Sequence, residues 1–190
     1  GSLGSDLSQD DGPFFDGKPE DFEWKLVGEA EQYRYVDPGS LEGKEKYRWL
    51  EKGGWRTIWS QDLKTVGFQD PSWKGLAWAP VGLALAKRRV WIVEATPKDR
   101  YYLYGKIMLA FDKENWYGTY SSKFDWQGNL LNSYLPSHGG WFKKGDDYRG
   151  YSSLPFTMSQ NWKLDRATAS YSDPKEKNSP ADSLITIGDI

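Results

Sequence analysis

Few residues in this chain combine the type and the spacing that chemistry requires. Its one histidine, His138, stands in Ser137-His138-Gly139-Gly140, and a lone histidine in a glycine-rich loop offers no metal set. No Gly-x-Ser-x-Gly elbow accompanies it, and a Ser137 adjacent in sequence is not the spatial arrangement of a catalytic triad. Gly39 and Gly43-Lys44 match part of a phosphate loop, yet the spacing is short and Glu45 stands where Ser or Thr is needed. The acidic pairs Asp146-Asp147 and Asp112-x-Glu114 lack the spacing of a calcium loop and read as solvated turns. Cysteine is absent, which excludes disulfides, thiolate catalysis and cysteine zinc sites. The expectation is a protein that is not an enzyme and uses neither metal nor cofactor.

Glu94 is the one charge inside the apolar run Val90-Trp91-Ile92-Val93-Glu94-Ala95. It reads either as the polar anchor of a ligand site or as half of a cross-strand pair with Lys106, or with Arg100, and the pair is favoured because paired charges are common on sheets. A glycosidase would need a second carboxylate at about 5 to 9 Å, and no such partner is visible in the sequence.

The richer signal is aromatic. The chain has 11 Trp, 12 Tyr and 8 Phe, and Trp73, Trp78, Trp91, Tyr101, Tyr102, Tyr104, Trp116 and Tyr120 lie in or beside its strand-like segments. Each either fills a core or lines a cavity. Val90 to Ala95 and Leu103 to Phe111 are apolar on both faces, so one face must be covered by a helix, a second sheet or a ligand. With little helix available, a pocket on that face is a reasonable expectation. The candidate lining is Trp91, Val93, Leu103, Tyr104, Ile107, Leu109, Trp116 and Tyr120, with Glu94 and Lys106 as the polar anchor.

The elements that would position these residues follow from period-two patterning and turn residues. Phe22 to Val36 alternates as a strand. Tyr47 to Glu51 and Trp55 to Ser60 flank Gly53-Gly54 as a hairpin, and Phe68 to Pro80 is broken by Pro71, Gly75 and Pro80 into irregular loop. Val81 to Lys87 is the best place for a short helical turn. A meander then runs through Arg89 to Ala95, Tyr101 to Phe111, Trp116 to Phe124 and Asn129 to Leu135. Further strands are expected at Tyr151 to Met158, Trp162 to Tyr171 and Leu184 to Ile187. The net charge of -2 gives no basic field for nucleic acid. No apolar run approaches the roughly 20 residues of a spanning helix.

The motifs Phe22-Glu23-Trp24-Lys25-Leu26-Val27-Gly28, Arg89-Val90-Trp91-Ile92-Val93-Glu94-Ala95-Thr96-Pro97, Tyr104-Gly105-Lys106 and Phe111-Asp112-Lys113-Glu114-Asn115-Trp116 resemble those of a bacterial family of unknown function described as outer-membrane lipoprotein-sorting-like. The resemblance spans about Phe22 to Leu135. It implies a mainly β fold, a curved antiparallel sheet forming an open half barrel of LolA/LolB type with little helix. It also implies a periplasmic or cell-envelope location and an apolar ligand or acyl chain as partner, handed to an envelope membrane protein. Family members run to about twice this length against a typical domain of ~150 residues, so the chain is expected to be a carboxy-terminal portion. Residues 1-19 then read as a cloning remnant and flexible lead-in, and 20-190 as one β domain. Two other readings stand beside the carrier: an assembly module pairing through exposed sheet edges, as in a homodimer, and a glycan-binding module using aromatic platforms.

Overall fold

The computed structural model describes residues 14-15, 17-36, 46-49, 55-58, 67, 70-77, 79-114, 116-137, 141-144, 147-150 and 156-171. After a 3-10 turn, Pro19–Asp21, come eleven strands: β1 Phe22–Val36, β2 Lys46–Trp49, β3 Trp55–Ile58, β4 Ala84–Pro97, β5 Lys106–Asp112, β6 Gly118–Phe124, β7 Leu130–Ser137, β8 Trp141–Lys144, β9 Asp147–Gly150, β10 Phe156–Asn161 and β11 Arg166–Tyr171. Seven form one open antiparallel sheet in the order β1-β4-β5-β6-β7-β10-β11, and β2-β3 and β8-β9 are separate hairpins. The fold class is the expected one: mainly β, an open antiparallel sheet of half-barrel type with little helix. Among the described residues, no helix is long and apolar enough to cross a membrane.

The chain divides into two compact units. The first comprises residues 1-34, 87-136 and 157-169, and contains most of the large sheet. The second comprises residues 35-86, 137-156 and 170-190, and carries both hairpins. In the second unit β2 and β3 pair with Tyr47 opposite Thr57 and Trp49 opposite Trp55; Gly53-Gly54 lies outside the described residues. The stretch before β4 is irregular as expected, and turns on Asp70, which accepts the Ser72 N–H at 2.9 Å and the Ser72 hydroxyl at 2.6 Å.

Several expected boundaries shift for local reasons. Val81 to Lys87 is not helical: β4 begins at Ala84, because lying between β1 and β5 supplies partners that a short helical preference cannot match. The strand expected from Tyr101 starts only at Lys106. There the Asp99 carboxylate accepts the Tyr101 N–H at 2.8 Å and the Asp99 carbonyl accepts the Tyr102 N–H at 3.1 Å, folding the chain into a turn instead. β6 starts at Gly118 rather than Trp116, since the Trp116 N–H donates to the Asp112 carbonyl at 2.8 Å and its φ is 62°. In place of a strand from Trp162 there is a turn, closed by the Leu164 N–H on the Asn161 side chain at 3.0 Å, before β11. β10 is described from Phe156 and runs past Met158 to Asn161, and the expected start at Tyr151 lies outside the described residues. His138, Asp146 and the segment Leu184 to Ile187 lie outside the described residues.

Candidate functional site

The ladders fix which side chains share a face, because side chains along a strand alternate. Val93 stands opposite Leu109, Leu109 opposite Ser121, and Ser121 opposite Tyr134. One row over, Ala95, Ile107, Lys123 and Asn132 stand in line across the same four strands. Trp91, Phe111 and Gly118 form a third row on the same face. The surface is therefore graded: aliphatic over β4 and β5, polar over β6 and β7.

Among the described residues, neither a helix nor a second sheet covers the aliphatic part. Phe22, Ala95, Ile107 and Leu109 form its buried cluster, and Phe14, Phe15, Tyr102, Tyr104 and Phe111 pack against it. Phe14 lies edge-on to Phe111 at 5.6 Å and tilted against Tyr134 at 6.4 Å. Phe15 meets Phe22 at 5.2 Å and Trp24 at 5.3 Å, both edge-on, the arrangement that aromatic quadrupoles favour. A Cβ on Gly118 would sit 2.3 Å from the Phe14 ring, so the glycine is the notch that admits it. Tyr102 and Tyr104 come from the β4-β5 turn, and Trp126 Nε1 donates to the Tyr102 carbonyl at 3.0 Å. Among the described residues the cover is thus made of a segment preceding the sheet and of one turn.

Of the residues expected to line a ligand site, Trp91, Val93, Ile107 and Leu109 share this face and Tyr104 packs over it. Leu103 is 71% exposed in the turn and Trp116 is 68% exposed at the β5-β6 connection. Tyr120 pairs with Ala110, and Glu94 with Met108, which puts both on the opposite face. Lys106 is on that opposite face as well, its ammonium 4.6 Å from the centre of the Phe124 ring. No ion pair joins Glu94 to Lys106 or Arg100 among the described residues. The favoured pairing is therefore not formed, because the register sets Met108, not Lys106, across from Glu94.

On the covered face, in the row of Ala95 and Ile107, stands Lys123, 4% exposed and 5.3 Å from the Tyr104 ring centre. Beside it the fully buried Ser121 hydroxyl makes no hydrogen bond. Asn132 Nδ2 donates to Ser159 Oγ at 2.9 Å. Sequence reasoning passed over Lys123 and Ser121. Their signal was the alternation in Thr119-Tyr120-Ser121-Ser122-Lys123-Phe124, which puts Ser121 and Lys123 on one face once the register with Ile107 and Leu109 is known.

A second polar centre closes the other end of β5. Asp112, expected in a solvated turn, is fully buried. It accepts Arg88 Nε at 2.8 Å, Arg88 Nη2 at 3.1 Å, Arg34 Nη1 at 3.4 Å and the Glu114 N–H at 2.9 Å. Burial alone would raise its pKa, but the Arg88 hydrogen bonds and the charges of Arg88 and Arg34 hold it below the usual carboxylate range. Arg88 is pushed up by Asp112 and Glu114 despite burial, whereas burial outweighs Asp112 at Arg34 and lowers it. Bidentate pairing of this kind fixes geometry and ties β1, β4 and β5 together. Among the described residues no group of His, Asp and Glu could hold a metal ion.

Residues 2–141 match the family described as protein of unknown function (DUF1329). The chain belongs to that family. Membership in a family of unknown function, expected from the strand motifs, is thereby established. Among solved structures, a domain provisionally assigned to outer membrane lipoprotein sorting, from Vibrio parahaemolyticus, is 13% identical with a TM-score of 0.34, covering 73% of this chain. This chain spans 63% of that one. A LolA superfamily protein from Nitrosomonas europaea is 14% identical with a TM-score of 0.34, over 80% of this chain and 81% of that one. No curated protein matches.

Proposed function

We propose that this family member is a noncatalytic carrier of the cell envelope that holds an acyl chain or similar apolar ligand on the covered face of its large sheet. The supporting observation is the make-up of the cover. The aliphatic floor of Ala95, Ile107 and Leu109 is roofed by separate aromatic side chains, two of them, Phe14 and Phe15, from a segment outside the sheet. Such a roof can lift without breaking a strand, and its rings provide walls for a chain laid on the floor. Periplasmic residence and transfer to an envelope membrane protein belong to the same reading.

The test is binding of an uncharged acyl probe, the methyl ester of cis-parinaric acid, by fluorescence, with native mass spectrometry to count bound molecules. A saturable one-to-one complex, displaced by unlabelled acyl esters, is expected. Absence of binding by every acyl probe would overturn the proposal.

One observation favours a second reading. β1 ends the sheet order among the described residues, and along it Trp24, Leu26 and Val27 are exposed, an edge able to pair with another strand. Assembly through β1 predicts a concentration-dependent dimer in sedimentation that Val27→Lys abolishes. A monomer at all concentrations would remove this reading.

A further inference from the structure

Antiparallel strands that follow one another place every second turn at the same end of their sheet. The β4-β5 turn, residues 98-105, and the β6-β7 turn, residues 125-129, therefore share an end. Trp126 Nε1, donating to the Tyr102 carbonyl at 3.0 Å, joins them. The β10-β11 turn, residues 162-165, stands at this end too: the Trp162 N–H donates to the Leu131 carbonyl at 3.0 Å and its indole to Ser133 Oγ at 2.8 Å, both near the start of β7. All three turns belong to the first compact unit. They carry Tyr101, Leu103, Trp126, Trp162 and Leu164, every one exposed and Tyr101 at 96%. A single exposed apolar side chain needs no explanation, but such a group gathered at one end of a sheet does.

We propose that this rim docks on a lipid bilayer, its Tyr, Trp and Leu side chains entering the headgroup boundary. Trp and Tyr are the residues that settle at that depth. Irregular backbone enters an apolar layer only with its polar groups satisfied, and these turns pair theirs internally. The Asp99 carboxylate accepts the Tyr101 N–H at 2.8 Å and the Asp99 carbonyl the Tyr102 N–H at 3.1 Å. The Asp125 carboxylate accepts the N–H groups of Gln127 at 2.9 Å and Asn129 at 2.7 Å, and the Asn161 side chain that of Leu164 at 3.0 Å. Adjacent turns lie two strand spacings apart, about 10 Å, so the apolar side chains form a narrow row about 20 Å long instead of the patch of about 800 Å² that a stable protein partner covers. Within the turns Lys98, Arg100 and Lys163 balance Asp99, Asp125 and Asp165, so insertion, not attraction to anionic lipid, is the driving force. Tyr102 and Tyr104, from the first of these turns, pack on the aliphatic cluster, which puts the rim beside the proposed acyl site. The rim itself does not depend on that reading, because none of its exposed side chains belongs to the cluster.

The experiment is flotation of the full chain with vesicles of phosphatidylcholine alone and of phosphatidylcholine mixed with phosphatidylglycerol, each at low and high salt. The chain is expected to float with both vesicles at both salt concentrations. Tyr101→Ser combined with Leu164→Ser should weaken vesicle binding at least about tenfold, the factor that burial of one large apolar side chain is worth. Trp116→Ser, exposed in the β5-β6 connection at the other end of the sheet, should leave it unchanged. The double variant should still bind the methyl ester of cis-parinaric acid as the unaltered chain does, so failure of the rim and failure of the acyl site are read separately. No flotation of the unaltered chain with either vesicle overturns the proposal, and this result needs no substitution. Flotation with the anionic vesicles alone, lost at high salt, overturns insertion. Equal weakening by Trp116→Ser overturns the assignment to this rim, and loss of ester binding in the double variant would make its residues walls of the acyl site instead. A dimer that the double variant abolishes, in a chain that does not float, would make the rim a protein contact.

Discussion

If Phe14 is a removable roof over the acyl site, Phe14→Ala should weaken the fold and strengthen binding at once. The ring is half-buried, packed on Phe111 and Tyr134 and seated in the Gly118 notch. Full burial of a Phe side chain contributes about 1.5-3 kcal/mol, so a half-buried one contributes roughly 1-1.5 kcal/mol. Loss of that amount should lower Tm by about 2-6 °C for a chain of this size. The same energy holds the roof closed, and apparent affinity scales with the population of the open state. The methyl ester of cis-parinaric acid should therefore bind about five- to tenfold more tightly to the variant, about 1.4 kcal/mol being a factor of ten. Differential scanning fluorimetry and a fluorescence titration on the same samples give both numbers. A variant that melts earlier and also binds more weakly would refute the reasoning, for Phe14 would then be a wall of the site instead of its roof.

Gly118→Ala should act in the same direction by a different route, since its methyl group would expel the Phe14 ring. Faster probe association in stopped flow is expected, and an unchanged rate would count against a gating role. Asp112→Asn leaves Arg34 and Arg88 facing each other around a buried amide, and should cost about 3 kcal/mol or more, read as a lower urea midpoint at unchanged m-value. Because the folded pKa of Asp112 is depressed, its contribution is fully present above the unfolded carboxylate value of about 3.9 and is lost as pH falls through the folded value. Urea titrations from pH 7 down to pH 2 should show this loss, and Asp112→Asn should flatten that part of the profile.

What could be read beforehand divides by distance along the chain. The extent of β1 and the existence of the meander were legible because alternation and turn residues act locally, over a few positions. Tyr101 to Gly105 was misread because the hydrogen bonds from Asp99 compete with the ladder, and apolar composition does not reveal that competition. The floor residues Val93, Ile107 and Leu109 were legible as apolar. The anchor was not, because facing depends on register: Glu94 and Lys106 stand out in the sequence, but pairing with Met108 and Phe124 turns them to the other side. Phe14 and Phe15 fell within a lead-in read as flexible, and alternation does not reveal the rings they meet, Phe111 far along the chain for Phe14 and Phe22 for Phe15. Asp112 looked like a turn residue for the same reason, since Arg34 lies 78 positions away.

That separation bears on the order in which the molecule assembles. β4, β5, β6 and β7 follow one another with short connections, so their pairing closes only small loops. The Arg34 to Asp112 contact, spanning 78 positions, and the placing of Phe14 on Phe111 each close a long one, and closure entropy grows with loop length. Contacts between distant parts of a chain come late when local ones can form first. The meander should therefore gain hydrogen-exchange protection ahead of β1, and the opposite order would contradict this. The nascent sheet would then pass through a stage in which its aliphatic face lacks the Phe14 and Phe15 part of its roof. An acyl chain present at that stage could be enclosed as the protein folds, without ever displacing Phe14.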